Sequence, residues 1–205
     1  MSDAAKDKKQ SVHESYHPDR PSILYYAEEY QKEVIKEIIT YRGAVLEVVE
    51  RPEAVFCGKI AYAQNLTDEP DIETLLKDYQ KLVPIPKNEP VAPEWTAAIS
   101  IDYWRGGIVP RGMMFGQEVA AEKQPEVYDI YKMPKSLYMR VFHDADAAKA
   151  LDKDQCDIWE LYGLMKDIVM PLYGYRFNEN GAQEFEYYNW TKYSSGFAYV
   201  PVIKG

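Results

Sequence analysis

The sequence predicts an α+β fold of duplicated β-β-α-β-β units, antiparallel sheets plus helices, packed side by side around a central groove. Three observations predict it. A Pro-marked pair of strand-like runs occurs twice, over 46–57 around Pro52 and over 128–139 around Pro134. Each pair leads into one amphipathic segment and then into two further runs rich in aromatic and β-branched residues. The two series are offset by roughly eighty residues, with Tyr103 answering to Tyr188 and a glycine leading the final strand of each.

Residues 1–20 are polar and charged, with nothing to bury, and are expected to form a disordered tail. A helix is predicted over 21–42, opened by Pro21 and Ser22. Ile23, Tyr26, Ala27, Tyr30, Val34 and Ile38 recur at steps of three and four, and Tyr41-Arg42-Gly43 reads as its C-cap. Its apolar stripe needs a partner, either the following domain or a second copy, so a homo-oligomer through this helix is one expected arrangement.

The domain proper is expected over 44–203. Its first unit continues with a helix over 72–83 and strands over 98–104 and 113–120. The second has a helix over 157–173 and strands over 184–190 and 197–203. The Pro-rich link 84–93 reads as irregular, without a domain boundary.

Composition excludes several function classes. A net charge of −9 over 205 residues opposes a general affinity for nucleic-acid phosphates and favours the approach of a cation. Cys57 and Cys156 lie far apart without a metal-ligand spacing, as expected for reduced thiols. No run of about 18 apolar residues and no apolar signal core is present, so a soluble, cytoplasmic protein is expected. His13 and His17 fall in the tail, leaving His143 alone, which argues against a multi-His metal site. Arg105-Gly106-Gly107 and Arg111-Gly112 read as turns, not as a phosphate cradle. Asp144-Ala145-Asp146 lacks the glycine and distal glutamate of a calcium loop and reads as an acidic loop. No cofactor or metal is expected.

What remains is aromatic. The 18 tyrosines and 4 tryptophans suit pockets as well as half-buried strands. In the run 184–190, alternation puts Glu184, Glu186, Tyr188 and Trp190 on one face and Phe185, Tyr187 and Asn189 on the other. That carboxylate-bearing face is either a solvated strand face or the wall of a cleft. Tyr103, Trp104, Tyr138, Phe142, Trp159, Tyr162, Tyr188 and Trp190 all fall on predicted elements, and core packing accounts for about half of them. Glu186 is harder to place in a core, because a buried carboxylate without a partner is costly.

Val127 to Pro134, Trp159, Met170 to Tyr175, and above all Phe185-Glu186-Tyr187-Tyr188-Asn189 and Ala198 to Val202 carry a family likeness. Over 46–203 the chain resembles the GyrI-like (gyrase-inhibitor-like) proteins, a family that includes the effector-binding domains of MerR- and AraC-type regulators. The resemblance implies a ligand cleft between two halves. The glutamate of the Phe-Glu-x-Tyr pattern would face it and meet amphipathic, often cationic ligands.

Here that glutamate is Glu186, with Tyr188 beside it. The pseudo-symmetric strand offers Ile101 and Tyr103 if Tyr103 matches Tyr188, whereas a one-residue slip offers Asp102. Tyr138, Phe142, Trp159 and Tyr162 would supply aromatic walls. The chain departs from the family around 143–148, where a glycine is usual, and no helix-turn-helix unit is legible ahead of the domain. The expected function is stand-alone, multidrug-type binding of a small hydrophobic or cationic ligand, without direct nucleic-acid or membrane contact. Two alternatives stay open: a hydrolase of electrophilic small molecules with Glu186 as the candidate catalytic residue activating water, and an interaction protein that inhibits a partner.

Overall fold

The computed structural model describes residues 33–91, 93–180, 182–188 and 196–205. It opens with a hairpin, β1 (Val34–Tyr41) and β2 (Ala44–Arg51), paired from Val34 against Glu50 to Tyr41 against Ala44. The two residues between them, Arg42 and Gly43, both have left-handed backbones, φ 48° and 92°. That is the geometry a two-residue hairpin loop needs.

The helix predicted over 21–42 is therefore corrected over Val34–Tyr41, which is a strand. Val34, Ile35, Ile38, Ile39 and Thr40 are β-branched and favour the pleat. A glycine after an apolar run suits a helix cap and a tight hairpin equally well. Residues 21–32 of that expectation, and the predicted tail 1–20, lie outside the described residues.

The chain continues through β3 (Ala54–Tyr62), α1 (Ile72–Leu82), β4 (Thr96–Ile101), β5 (Gly112–Val119), β6 (Asp129–Met133) and β7 (Ser136–Phe142). It then forms α2 (Ala145–Ala150), α3 (Glu160–Gly163), a π-helical stretch Leu164–Val169, α4 (Met170–Leu172), β8 (Tyr175–Phe177), β9 (Glu184–Tyr188) and β10 (Gly196–Lys204). Asp71 caps α1 by accepting the Thr74 N–H at 3.0 Å, and Leu75 and Tyr79, one turn apart, face inward.

Three further expectations are corrected. The acidic stretch at Asp144 is a helix start, where the Asp144 carboxylate accepts the Ala147 N–H at 2.9 Å and caps α2. The helix predicted over 157–173 widens into a π-helical stretch. The strand predicted over 98–104 stops at Ile101, because Asp102 turns the backbone at φ 57° and Tyr103–Arg105 form a 3₁₀ turn. Asn189 and Trp190 lie outside the described residues.

One mostly antiparallel sheet of ten strands organises all of this, in the order β1-β2-β7-β10-β9-β4-β5-β3-β6, with β8 added on β10. β2 and β3 lie near opposite ends of that order, yet only Pro52 and Glu53 join them. Pro134 and Lys135 join β6 to β7 across the same span. Connections this short force the open sheet to curl until its ends approach.

The concave face is aromatic: Phe56, Trp95, Tyr138, Phe185, Tyr187, Phe197 and Tyr199 share one buried cluster, with Phe185 stacked on Tyr199 at 4.3 Å. Buried ions tie the curl together. Arg51 on β2 reaches Glu118 on β5 at 2.7 Å and Glu33 at 2.7 Å, and Arg140 binds Glu47 and Glu33, each at 2.7 Å.

The helices cover the convex face in two groups. α2 to α4 pack over β2, β7 and β10, and α1 packs over β3 and β5. Between the groups run β9 and β4, the middle strands of the sheet.

Candidate functional site

Strand alternation decides what β9 presents. Phe185 and Tyr187 enter the concave aromatic core, so Glu184, Glu186 and Tyr188 face the helices. Glu186 pairs with Ala98 on β4 and Ala198 on β10, and Tyr188 pairs with Thr96. An alanine on each side leaves the space above the sheet to larger side chains from β9 and the helices. Gly196 makes the β10 pairing possible, since a Cβ there would lie 1.6 Å from the Tyr187 carbonyl oxygen.

Glu186 is 7% exposed. Burial pushes its carboxyl up to about 7, and the neighbouring Glu184 carboxylate adds to the rise. Hydroxyls of Tyr162 and Tyr188 oppose the shift by favouring the charged form. Tyr188 donates to Glu186 Oε2 at 3.2 Å, whereas the fully buried Tyr162 hydroxyl lies beside the carboxyl without completing a hydrogen bond of good geometry. No lysine or arginine among the described residues pairs with Glu186. Its neighbour differs: Glu184 is bound by Lys166 Nζ at 2.9 Å.

Tyr103 reaches the same side from its 3₁₀ turn. Its ring packs against the α1 cluster that also holds Tyr188, and its buried hydroxyl makes no hydrogen bond of good geometry. Burial raises its pKa, and the carboxylates of Glu69 and Glu186 raise it further. Gln183 holds the turn by accepting the Asp102 N–H at 2.9 Å.

Of the residues singled out in the sequence, the structure brings Glu186, Tyr188, Tyr162 and Tyr103 together. Ile101, Tyr138 and Phe142 lie in the concave aromatic core, on the opposite face of the sheet. Trp159 is 63% exposed ahead of α3. β4 ends at Ile101, so Tyr103 stands in the turn beyond the strand, and across the seam Tyr188 pairs with Thr96. Sequence reasoning missed Lys166, whose signal was its spacing four residues after Tyr162.

Among the described residues no group of three or more His, Cys, Asp or Glu is arranged to hold a metal ion, and no helix is long and apolar enough to cross a membrane. Cys57 and Cys156 are free thiols.

No family model and no curated protein matches the sequence. Among solved structures the chain is similar to an integron cassette protein, VCH_CASS2, from the mobile metagenome of Vibrio cholerae, at 11% identity over 84% of this chain and 100% of that one, TM-score 0.44. It is similar to SAV2435 bound to tetraphenylphosphonium, at 14% identity over 80% of this chain and 94% of that one, TM-score 0.48. It is also similar to a protein of Staphylococcus aureus MU50 assigned to bacterial transcription regulation, at 14% identity over 78% of this chain and 98% of that one, TM-score 0.49. At these values neither ligand nor role carries over to this chain.

Proposed function

We propose that this chain is a stand-alone binding protein for a small amphipathic cation, received on the helix-side face at Glu186. One observation carries the reading: a nearly buried glutamate lies among tyrosine hydroxyls with no cationic side chain paired to it among the described residues. An unpartnered carboxylate is costly in such a place. A ligand cation supplies the missing charge, and low local polarity strengthens the contact. Tyr103, Tyr162 and Tyr188 offer rings for stacking and cation–π contact. In this reading Ile101, Tyr138 and Phe142 support the floor from beneath, and Trp159 stands at the rim.

The same reading makes 44–203 a GyrI-like effector-binding domain of duplicated units, acting in the cytoplasm. Strand order supports the duplication. Outward from the seam between β9 and β4, the series β9, β10, β7, β2 answers to β4, β5, β3, β6. Each series takes its final pair and second opening strand from one unit and its outermost strand, β2 or β6, from the other.

Calorimetry at pH 8 with ethidium and with its uncharged, de-ethylated analogue 3,8-diamino-6-phenylphenanthridine tests the charge requirement. Ethidium should bind at least about tenfold more tightly. Equal affinity for the two would remove Glu186 from recognition.

A second reading rests on the carboxyl value near 7, which suits a general base. Glu186 would take a proton from water while the water oxygen attacks an electrophilic carbon and displaces its leaving group. Turnover of an epoxide or alkylating substrate that disappears in Glu186→Gln would favour this reading. Unchanged turnover in that variant would exclude it.

A further inference from the structure

The C-terminal end of α1 holds a pocket of about 760 Å³, a volume suited to a small organic molecule. Leu76, Tyr79, Val83, Ile85 and Pro86 give it an apolar wall, with Lys87 at its side. The link that carries Lys87 is fastened at several points. Tyr128 donates its hydroxyl to the carbonyls of Leu82 at 2.9 Å and Ile85 at 2.6 Å. Asn88 and Gln124 bond reciprocally, the Asn88 N–H to Gln124 Oε1 and Gln124 Nε2 to the Asn88 carbonyl, each at 2.8 Å. Beyond them the Val91 N–H donates to the Glu118 carbonyl at 2.9 Å. The backbone on either side of Lys87 is thereby held.

The Lys87 ammonium stands 4.8 Å from the Tyr128 ring centre and 5.9 Å from that of Tyr79. No carboxylate among the described residues forms an ion pair with it, although Glu94 lies on the pocket rim. Burial pushes its pKa down. The Cys57 thiol nearby is pushed up to about 11 and stays neutral at physiological pH, so it does not balance the charge. Lysine ammonium groups ordinarily stay in water. Here two ring faces replace part of that hydration and leave the donors without an anionic acceptor.

We propose that this pocket binds a small amphipathic monoanion, its carboxylate or sulfonate on Lys87 and its apolar body along Leu76, Tyr79, Val83 and Ile85. The site has the opposite charge preference to Glu186 and does not depend on the cation-binding reading. Gln80, also in the lining, supplies an amide donor beside the head group, whereas the Gln117 amide donates to the Pro93 carbonyl at 2.5 Å.

Calorimetric titration of the full chain with dodecanoate, below its micelle concentration, tests the proposal. The wild type should show saturable one-to-one binding. Lys87→Met should weaken it by about tenfold or more, and Lys87→Arg should retain it within about threefold. Val83, 56% exposed on the rim, gives a second test, because Val83→Trp fills the pocket and should also weaken binding. Absence of saturable binding to the wild type, or an affinity unchanged in Lys87→Met or in Val83→Trp, overturns the assignment. So does dodecanol binding as tightly as dodecanoate.

Discussion

The hydroxyl of Tyr188 donates to Glu186 Oε2 at 3.2 Å across two residues of one strand face, and this bond favours the charged form of a carboxyl that burial drives toward neutrality. The opposition leaves Glu186 titrating at about 7, within reach of physiological pH.

Stability should therefore depend on pH through this group. The folded-state value of about 7 lies above the ordinary glutamate value of 4.5, so the stabilising contribution is complete below pH 4.5 and is lost as pH rises through 7. The loss is on the order of 3 kcal/mol. Glu186→Gln does not titrate and should be more stable than the wild type at pH 8.5, with the gap closing at pH 4.5. Urea denaturation at the two values measures it, and a variant less stable than the wild type at pH 8.5 would contradict the account.

Cation affinity should follow the same titration in the opposite sense. Only the carboxylate attracts the ligand, and at pH 6 about a tenth of Glu186 is ionised, so ethidium should bind about tenfold more tightly at pH 8 than at pH 6. A flat profile across that window would assign recognition to uncharged groups.

Tyr188→Phe removes a hydroxyl that favours the charged form. Glu186 should then titrate at a still higher pH, and the midpoint of the pH-dependence of ethidium binding should move upward with it. A midpoint that stays in place, or moves down, would show that the tyrosine does not tune the carboxyl.

The curl of the sheet should depend on Arg51. Truncation by Arg51→Met takes the guanidinium from the partly buried Glu118 and leaves Glu33 to Arg140 alone, which should cost up to about 3–5 kcal/mol in urea denaturation. A loss below about 1 kcal/mol would mean that the aromatic core holds the curl unaided.

Much of this architecture was legible in the sequence because it rests on local chemistry. Helix α1 was visible in its apolar spacing, and alternation in 184–190 separated Phe185 and Tyr187 from Glu184, Glu186 and Tyr188. The β1 error has a simple cause. Residues four apart share a face in a helix and in a strand alike, so Val34 and Ile38 fit both periods. In the sheet a register shift between Ile35 and Glu37 puts Val34 and Ile38 on opposite faces, both exposed, and Ile39 enters the core. Pro52 and Pro134 marked breaks between strands, but nothing local tells that the strands they join lie at opposite ends of the sheet. For the same reason Ile101, Tyr138 and Phe142 read as candidates for the Glu186 face. Their face is set by pairing and by where β4 ends at Asp102, which are tertiary facts. The Lys87 pocket was hidden because its link has no periodicity and is fastened by Tyr128 and Gln124 from far along the chain.

The most direct test of the central claim compares ethidium affinity in the wild type and Glu186→Gln at pH 8 by calorimetry. The substitution keeps the size of the side chain and an acceptor oxygen but removes the charge, so binding should weaken by about ten- to a hundredfold while the fold is at least as stable. Unchanged affinity together with a lower melting temperature would make Glu186 a structural residue and contradict the account.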